Sequence, residues 1–200
     1  MRVLAGFMLL FCLPAAAVED AAEIYATQCA ACHGPEALGN AATMSPRLAG
    51  QNAAYLQEQT LAFQQGTRGS HPDDVQGQTM RALVSHLSVV QIEALSDYLA
   101  SRISPTVTRP NEADGPGAAL YAGHCAICHG QYGQGAESIF APNLQILSAW
   151  YLDAQMTAYG HGWRGGDTAT TRAKNMRAIR AQIPGQEQTS AIVEHIAGSR

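Results

Sequence analysis

The pentapeptides Cys29-Ala30-Ala31-Cys32-His33 and Cys125-Ala126-Ile127-Cys128-His129 share the pattern Cys-x-x-Cys-His. This pattern is typical of covalent haem attachment. Two cysteines about one helical turn apart can each form a thioether to a haem vinyl group, while the adjacent histidine reaches the iron from the same side. The motifs therefore predict two haem c groups, attached through Cys29, Cys32, Cys125 and Cys128, with His33 and His129 as iron ligands.

The two motifs belong to a tandem duplication. At an offset of 96 residues, residues 25–83 align without gaps with residues 121–179, and 21 of the 59 positions are identical. A match of this length indicates two copies of one folded unit. Outside the motifs the identical pairs include Pro46 with Pro142, Leu48 with Leu144, Tyr55 with Tyr151, Gln59 with Gln155, Arg68 with Arg164, and Met80 with Met176.

A polar segment that contains Pro105 and Pro110 separates the copies, and such a composition is typical of a linker. We expect domain 1 at residues 18–104, a linker at 105–114 and domain 2 at 115–200. A domain of about 90 residues has a thin hydrophobic core unless a metal, a disulfide or a cofactor adds to it. A bound haem would supply the missing apolar contacts.

The first 17 residues have the three parts of a secretory signal. A basic residue, Arg2, precedes an apolar run from Val3 to Leu13, and three alanines end at Ala17. We expect cleavage after Ala17 and export to the periplasm. An uncleaved membrane anchor is the alternative, but the run is far shorter than the ~20 apolar residues of a spanning helix. A lipid-modified Cys12 is disfavoured because large residues precede it.

Each copy is predicted to fold as three helices. The second helix has its apolar side chains at helical spacing, and the third begins in copy 1 at Ser88 with Gln91 three residues later, which is a capping-box pattern. No segment alternates as a strand, so the predicted fold class is all-α and the remaining stretches are predicted loops. The predicted helices cover residues 21–29, 52–66 and about 88–99 in copy 1, and 117–125, 148–160 and 185–197 in copy 2.

Composition and charge exclude several classes of protein. Hydrophobic residues make up 46% of the chain, which argues against wholesale disorder, and the formal net charge of −4 argues against nucleic-acid binding. The charge is uneven, because residues 18–104 hold 4 basic and 9 acidic residues whereas residues 115–200 hold 6 and 5. Four basic residues surround Met176 and predict either a docking surface for an acidic redox partner or an ordinary solvated loop: Arg172, Lys174, Arg177 and Arg180.

The second axial ligand of each iron is expected downstream of each motif. Met80 and Met176 are the methionines that the 96-residue offset relates, whereas Met44 and Met156 align with other residue types and are interpreted as packing residues. The downstream histidines also lack histidine counterparts. We therefore expect Met80 and Met176 as distal ligands, whose thioethers raise the haem potential relative to a second imidazole.

Two other uses of the cysteines are possible. A zinc site needs four ligands, but each copy offers two cysteines and one histidine with no obvious fourth ligand. A dithiol oxidoreductase would have one reactive pair in a βαβ setting, whereas both pairs here follow predicted helices. Haem attachment is the favoured interpretation.

The motifs and the duplication resemble the dihaem cytochrome c4 family, in which two class I cytochrome c domains lie in tandem. The resemblance implies that the carbonyls of Pro46 and Pro142 accept a hydrogen bond from the proximal histidines, and that Leu48 and Leu144 pack on the haems. The two copies differ in two features. Copy 2 has a glycine, Gly117, four residues before the tyrosine of its first helix, whereas copy 1 has Ala21 at the equivalent position. The loop after Pro142 also differs in sequence from the loop after Pro46.

The resemblance implies a periplasmic electron carrier that passes single electrons between redox proteins, for example from a quinol-oxidising complex to a terminal oxidase or reductase. Peripheral association with such membrane complexes is compatible with this function. The alternatives are a cytochrome subunit of a periplasmic dehydrogenase and, less favoured, a dihaem enzyme such as a peroxidase or a sulfur-compound dehydrogenase. An enzyme would need an iron with an open position, and the paired methionines argue against one.

Overall fold

The computed structural model describes residues 20–102 and 115–198. These residues form helices joined by loops, and within them the only β-type pairings are two isolated bridges, between Asn40 and Ser45 and between Ala136 and Ala141. The predicted all-α fold class is confirmed. The predicted signal sequence at 1–17 and the predicted linker at 105–114 lie outside the described residues.

The helices follow the same order in both copies. The first copy contains α1 (Ala21–Ile24), α2 (Ala30–His33), α3 (Ala53–Gln64), α4 (Val75–Val84) and α5 (Val89–Ser101). The second contains α6 (Pro116–His124), α7 (Ala126–His129), α8 (Ala149–Gly160), α9 (Thr171–Arg180) and α10 (Gly185–Ala197). A short 3-10 turn precedes α3 and α8, at Ala41–Thr43 and Glu137–Ile139.

The attachment motif lies at the end of the first helical segment of each copy. In copy 1, α1 continues through a π-helical turn at Tyr25–Cys29 into α2, so the helical segment extends beyond the predicted end at Cys29. In copy 2, Cys125 separates α6 from α7. Both segments stop at a glycine of positive φ directly after the histidine, Gly34 and Gly130.

The prediction of three helices per copy is wrong, because α4 and α9 form where loops were expected. Both begin at a side-chain cap: Asp74 accepts a hydrogen bond from the Gly77 amide, and Thr170 accepts one from the Ala173 amide. A Cβ at Gly77 would lie 2.1 Å from Asp74 Oδ2, so a larger residue there would displace the capping side chain. These two helices carry Met80 and Met176.

The last helix of each copy crosses the first helical segment. In copy 1, Ile92 and Leu99 of α5 are buried with Ile24 and Tyr25. In copy 2, α6 and α10 approach so closely that a Cβ on Gly117 would lie 2.1 Å from the Ala191 carbonyl oxygen. Gly117 therefore permits the approach of the two helices.

The copies contact each other through α3, α8 and the loops beside them. Arg68 donates to its own Gln59 at 2.9 Å and to Gln155 of the other copy at 2.9 Å. The equivalent Arg164 donates to its own Gln155 and to Gln59, each at 2.7 Å. The two arginines are 8% and 5% exposed, so this exchange of hydrogen bonds lies in the buried interface.

Two further contacts cross the same interface. Gln51 Nε2 donates to the Asn143 carbonyl at 3.0 Å, and the Asn143 amide donates to Gln51 Oε1 at 2.7 Å. Glu58 and Arg172 form an ion pair. Among the helices of residues 20–102 and 115–198, none combines the length and the apolarity needed to cross a membrane.

Candidate haem sites

The two motif histidines are buried and oriented by the same contact. His33 is 4% exposed, with Nδ1 2.8 Å from the Pro46 carbonyl oxygen, and His129 is 6% exposed, with Nδ1 3.4 Å from that of Pro142. Burial lowers the pKa of both imidazoles, so both are neutral at pH 7. Because Nδ1 donates to the carbonyl, Nε2 keeps its lone pair for a metal.

The turn that presents each histidine is held by a tyrosine. Tyr25 donates its hydroxyl to the Gly34 carbonyl, and Tyr121 donates to the Gly130 carbonyl at 2.7 Å. Both rings are almost fully buried. The tyrosines thus fix the chain directly after the histidines, which explains why both copies have one at the same position.

The four motif cysteines are unpaired. Burial raises the pKa of the Cys29 and Cys125 thiols to about 11. A dithiol oxidoreductase relies on a lowered thiol pKa, so these thiols have the wrong environment for that chemistry. Within residues 20–102 and 115–198, no group of three or more His, Cys, Asp and Glu side chains converges as a metal site.

The second copy contains a cavity of about 380 Å³ that brings its predicted site residues together. Its lining is strongly apolar, as expected for a cofactor site. Motif residues from α7 and the preceding turn lie in the lining together with Met176 from α9. The predicted residues that line the cavity are Cys125, Cys128, His129, Pro142, Leu144 and Met176.

Met156 also lines this cavity, from α8. It aligns with Thr60 in the first copy, so the duplication predicts a packing residue at this position. The cavity therefore holds two thioethers, of which only Met176 has a counterpart in the first copy. A substitution at each position distinguishes them.

In the first copy, the predicted residues gather on one apolar cluster. Cys29, Leu48 and Met80 all pack, partly buried, against a core that includes Phe63 and Leu99. Pro46 contacts His33 as described above. Met44, which was interpreted as a packing residue, is instead 41% exposed.

Among the described residues, one buried polar side-chain atom in each copy has no hydrogen-bond partner and could bind an anionic group. Arg47 Nη2 and Arg164 Nε are buried and have no hydrogen-bond partner in the described part of the chain. A buried guanidinium nitrogen without an acceptor is costly, and a carboxylate is its natural partner. Haem carries two propionates, so the residues present fit this group, with Arg47 in the first copy and Arg164 beside the second cavity.

The second cavity is completed by the first copy. Tyr55, Glu58 and Gln59 of α3 line it together with Arg164 and Arg172 of its own copy. The sequence does not predict that residues of the first copy line the cavity of the second. The duplication gives a partial indication, because its identical pairs include polar residues, such as Gln59 with Gln155, that contact with a haem alone does not explain.

Two of the four basic residues around Met176 have partners inside the molecule, and the other two, Lys174 and Arg177, are exposed. Arg172 pairs with Glu58, and Arg180 donates to the carbonyls of Met156 and Ile183 at 3.2 and 2.9 Å. Whether these side chains form a docking surface or an ordinary solvated loop stays a prediction.

Comparisons with known proteins agree with this architecture. A family model described as cytochrome c matches residues 18–102 and 115–199. A thiosulfate dehydrogenase electron acceptor from Stutzerimonas stutzeri (strain A1501) is 32% identical, over 97% of this chain and 93% of its own length. Cytochrome c4 from Azotobacter vinelandii is 30% identical, over 86% of this chain and 85% of its own length.

The fold is also that of a solved structure. Reduced recombinant cytochrome c4 from Pseudomonas stutzeri superposes with a TM-score of 0.70 over 90% of this chain and 97% of that one, at 24% identity. Two tandem cytochrome c domains, each with its Cys-x-x-Cys-His motif, correspond to two covalent haem c groups. The chain belongs to the cytochrome c family, as a tandem-domain relative of the cytochromes c4, and is an electron carrier.

Proposed function

We propose that this chain is a periplasmic relay that takes up and releases one electron at each of two six-coordinate haems. Domain 1, at residues 18–104, binds its haem through Cys29, Cys32, His33 and Met80, with Pro46 and Leu48 in the pocket. Domain 2, at residues 115–200, uses Cys125, Cys128, His129 and Met176, with Pro142 and Leu144. When bound, the haem supplies the one-electron ferric/ferrous couple.

One observation carries this proposal: His129 and Met176 enter the same cavity from different helices. Two protein ligands would leave no open position on the iron for a substrate. The protein then contributes a neutral imidazole, a thioether and an apolar wall that excludes water, and no bond chemistry is required of it. The periplasmic location is supported by the signal-like N-terminus.

The electron donor we propose is a periplasmic dehydrogenase that oxidises a sulfur compound such as thiosulfate. The support is the relative from Stutzerimonas stutzeri, which is named as the electron acceptor of thiosulfate dehydrogenase and aligns over nearly its whole length. The electron acceptor we propose is a terminal oxidase or reductase. A quinol-oxidising complex is the second candidate donor, supported by the similarity to cytochromes c4.

Stopped-flow mixing of the oxidised dihaem protein with thiosulfate and a purified thiosulfate dehydrogenase tests the donor. We expect fast reduction by two electron equivalents per chain, and none when either thiosulfate or the enzyme is left out. Slow reduction by this enzyme but fast reduction by a quinol-oxidising complex would favour the second donor. Carbon monoxide binding to the reduced native protein would reveal an open iron and contradict the carrier function.

A further inference from the structure

One ion pair joins the two copies asymmetrically. Glu58 of α3 accepts hydrogen bonds through Oε1 from Arg172 Nη2 at 2.7 Å and from Arg172 Nε at 2.9 Å. The Glu58 side chain is 12% exposed, whereas that of Arg172 is 49% exposed. The guanidinium also lies over the Phe140 ring, with Cζ 4.1 Å from the ring centroid. The carboxylate of one domain therefore holds an arginine of the other against an aromatic ring.

Glu58, Arg172 and Phe140 all line the cavity of the second copy. Among the described residues in that lining, Glu58 is the one carboxylate. The first domain thus places a negative charge at the wall of the second domain's cavity, next to a positive charge from the second domain.

The first copy has no equivalent of this arrangement. At the offset of 96 residues, Glu58 aligns with Ala154, Arg172 with Gln76 and Phe140 with Met44. Both charged residues are thus replaced by neutral ones. The hydrogen bonds of Arg68 and Arg164 with the two glutamines are symmetric, whereas the Glu58–Arg172 pair belongs to the second cavity.

We propose that Glu58 and Arg172 are positioning residues that set the reduction potential of the second haem, so that the first domain tunes the second across the interface. The proposal rests on haem occupying the second cavity, as set out above. A carboxylate favours the oxidised haem, which has one more positive charge, and a guanidinium favours the reduced haem. Partial burial weakens solvent screening of both charges. In the native protein the two effects act in opposite directions, and their difference contributes to the potential.

The test is a spectroelectrochemical titration of the dihaem protein with single and double substitutions. In Glu58→Gln an oxygen remains to accept from Arg172, but the negative charge is lost, so we expect the second haem to become easier to reduce. In Arg172→Gln the unpaired carboxylate should make it harder to reduce. At a fixed applied potential, the reduced-to-oxidised ratio of the second haem should change several-fold in opposite directions, and the double variant should lie between them.

The opposite signs separate tuning from a merely structural role. If the pair only held the domains together, both single variants would open the cavity and shift the potential in the same direction. Shifts of the same sign, or retained haems without any shift, would overturn the proposal. The first haem should change little in all variants, and the two titration steps are assigned with Met80→Ala and Met176→Ala, each of which moves one step.

Two matched controls complete the design. Arg172→Lys keeps the positive charge and should leave the potential close to the native value. Glu93→Gln removes an exposed carboxylate of α5 that does not line the cavity, and it controls for net charge. Intact mass of every variant reports haem content separately, so a missing haem would contradict the proposed haem sites rather than the tuning.

Discussion

Gln51 and Asn143 form a closed pair of hydrogen bonds between the two domains, in which each residue both donates and accepts. Gln51 uses its side-chain amide, whereas Asn143 uses only its backbone. Asn143 directly follows Pro142, whose carbonyl faces His129. This contact therefore connects the first domain to the loop that orients His129 of the second.

Replacing Gln51 with alanine removes both bonds and leaves a backbone amide and a carbonyl of the loop unpaired. We expect the free energy of unfolding of the second domain to fall by about 1 to 3 kcal/mol. Guanidinium unfolding, followed at the haem absorption, measures this change. Gln65→Ala, at an exposed position after α3, is the control and should have little effect. An equal loss in both variants would contradict a specific role for Gln51.

Met80→Ala and Met176→Ala should each open one iron. We expect each variant to lose about half of the oxidised-state absorption from methionine-to-iron charge transfer, and to bind one carbon monoxide per chain when reduced. Reduced-minus-oxidised spectra and a carbon monoxide titration measure both effects.

Met44→Ala, at a 41% exposed residue, should leave both signals unchanged. Met156→Ala is the more demanding control, because Met156 lines the same cavity as Met176. An open iron in Met156→Ala together with a native spectrum in Met176→Ala would transfer the ligand assignment to Met156.

Gly117→Ala should destabilise the second domain, because its Cβ would lie 2.1 Å from a backbone oxygen of α10 that cannot move independently of the helix. Overpacking of this kind costs about 2 to 3 kcal/mol. The reverse change at the equivalent position, Ala21→Gly, should cost about 1 kcal/mol or less, from helix propensity. Thermal unfolding of the two variants measures the difference. A Gly117→Ala protein as stable as the native one would show that α6 and α10 can separate freely.

Arg68→Gln and Arg164→Gln should each loosen the domain interface, since each removes a buried guanidinium that donates to both domains. We expect a loss of about 2 to 3 kcal/mol in each single variant. The double variant should lose less than the sum, because the two arginines share Gln59 and Gln155 as acceptors. A double-mutant cycle by chemical unfolding measures this coupling. Lys174→Gln, at an exposed residue of α9, is the control, and strict additivity would contradict a shared network.

The sequence predicts the parts of this molecule that depend on local chemistry. The Cys-x-x-Cys-His spacing, the capping box at Ser88 and the apolar spacing of α3 all involve residues within a few positions of one another. The 96-residue duplication then carries each inference from one copy to the other. These signals suffice for the fold class and the cofactor, whereas the electron-carrier function follows from the resemblance to the cytochrome c4 family.

The sequence pattern does not predict helices α4 and α9, and the reason is physical. Few of their residues are buried in the protein, since α9 has no buried residue and α4 buries only Gly77 and Val84. The apolar side chains of α9 line the second cavity instead, and a search for a stripe that faces other protein elements does not include such a surface. The caps at Asp74 and Thr170 were the available local signals.

The domain interface could not be predicted because it depends on how two folded units meet. The duplication preserves Arg68 and Arg164, but their spacing does not reveal that each donates to the other copy's glutamine. The same holds for Arg172, whose local sequence suggests a solvated basic loop, whereas its partner Glu58 lies 114 positions away.

Arg68 donates to Gln155 and the equivalent Arg164 donates to Gln59. Such an exchange of equivalent contacts is typical of a two-fold symmetric dimer, but here both halves belong to one chain. In a dimer of identical subunits every substitution at such a surface occurs twice, so a carboxylate introduced at one pocket must also appear at the other. Fusion of the two halves removes that constraint. A single-chain pair can thus keep a self-complementary surface while its two redox centres diverge one residue at a time, as Glu58 and its neutral counterpart Ala154 illustrate.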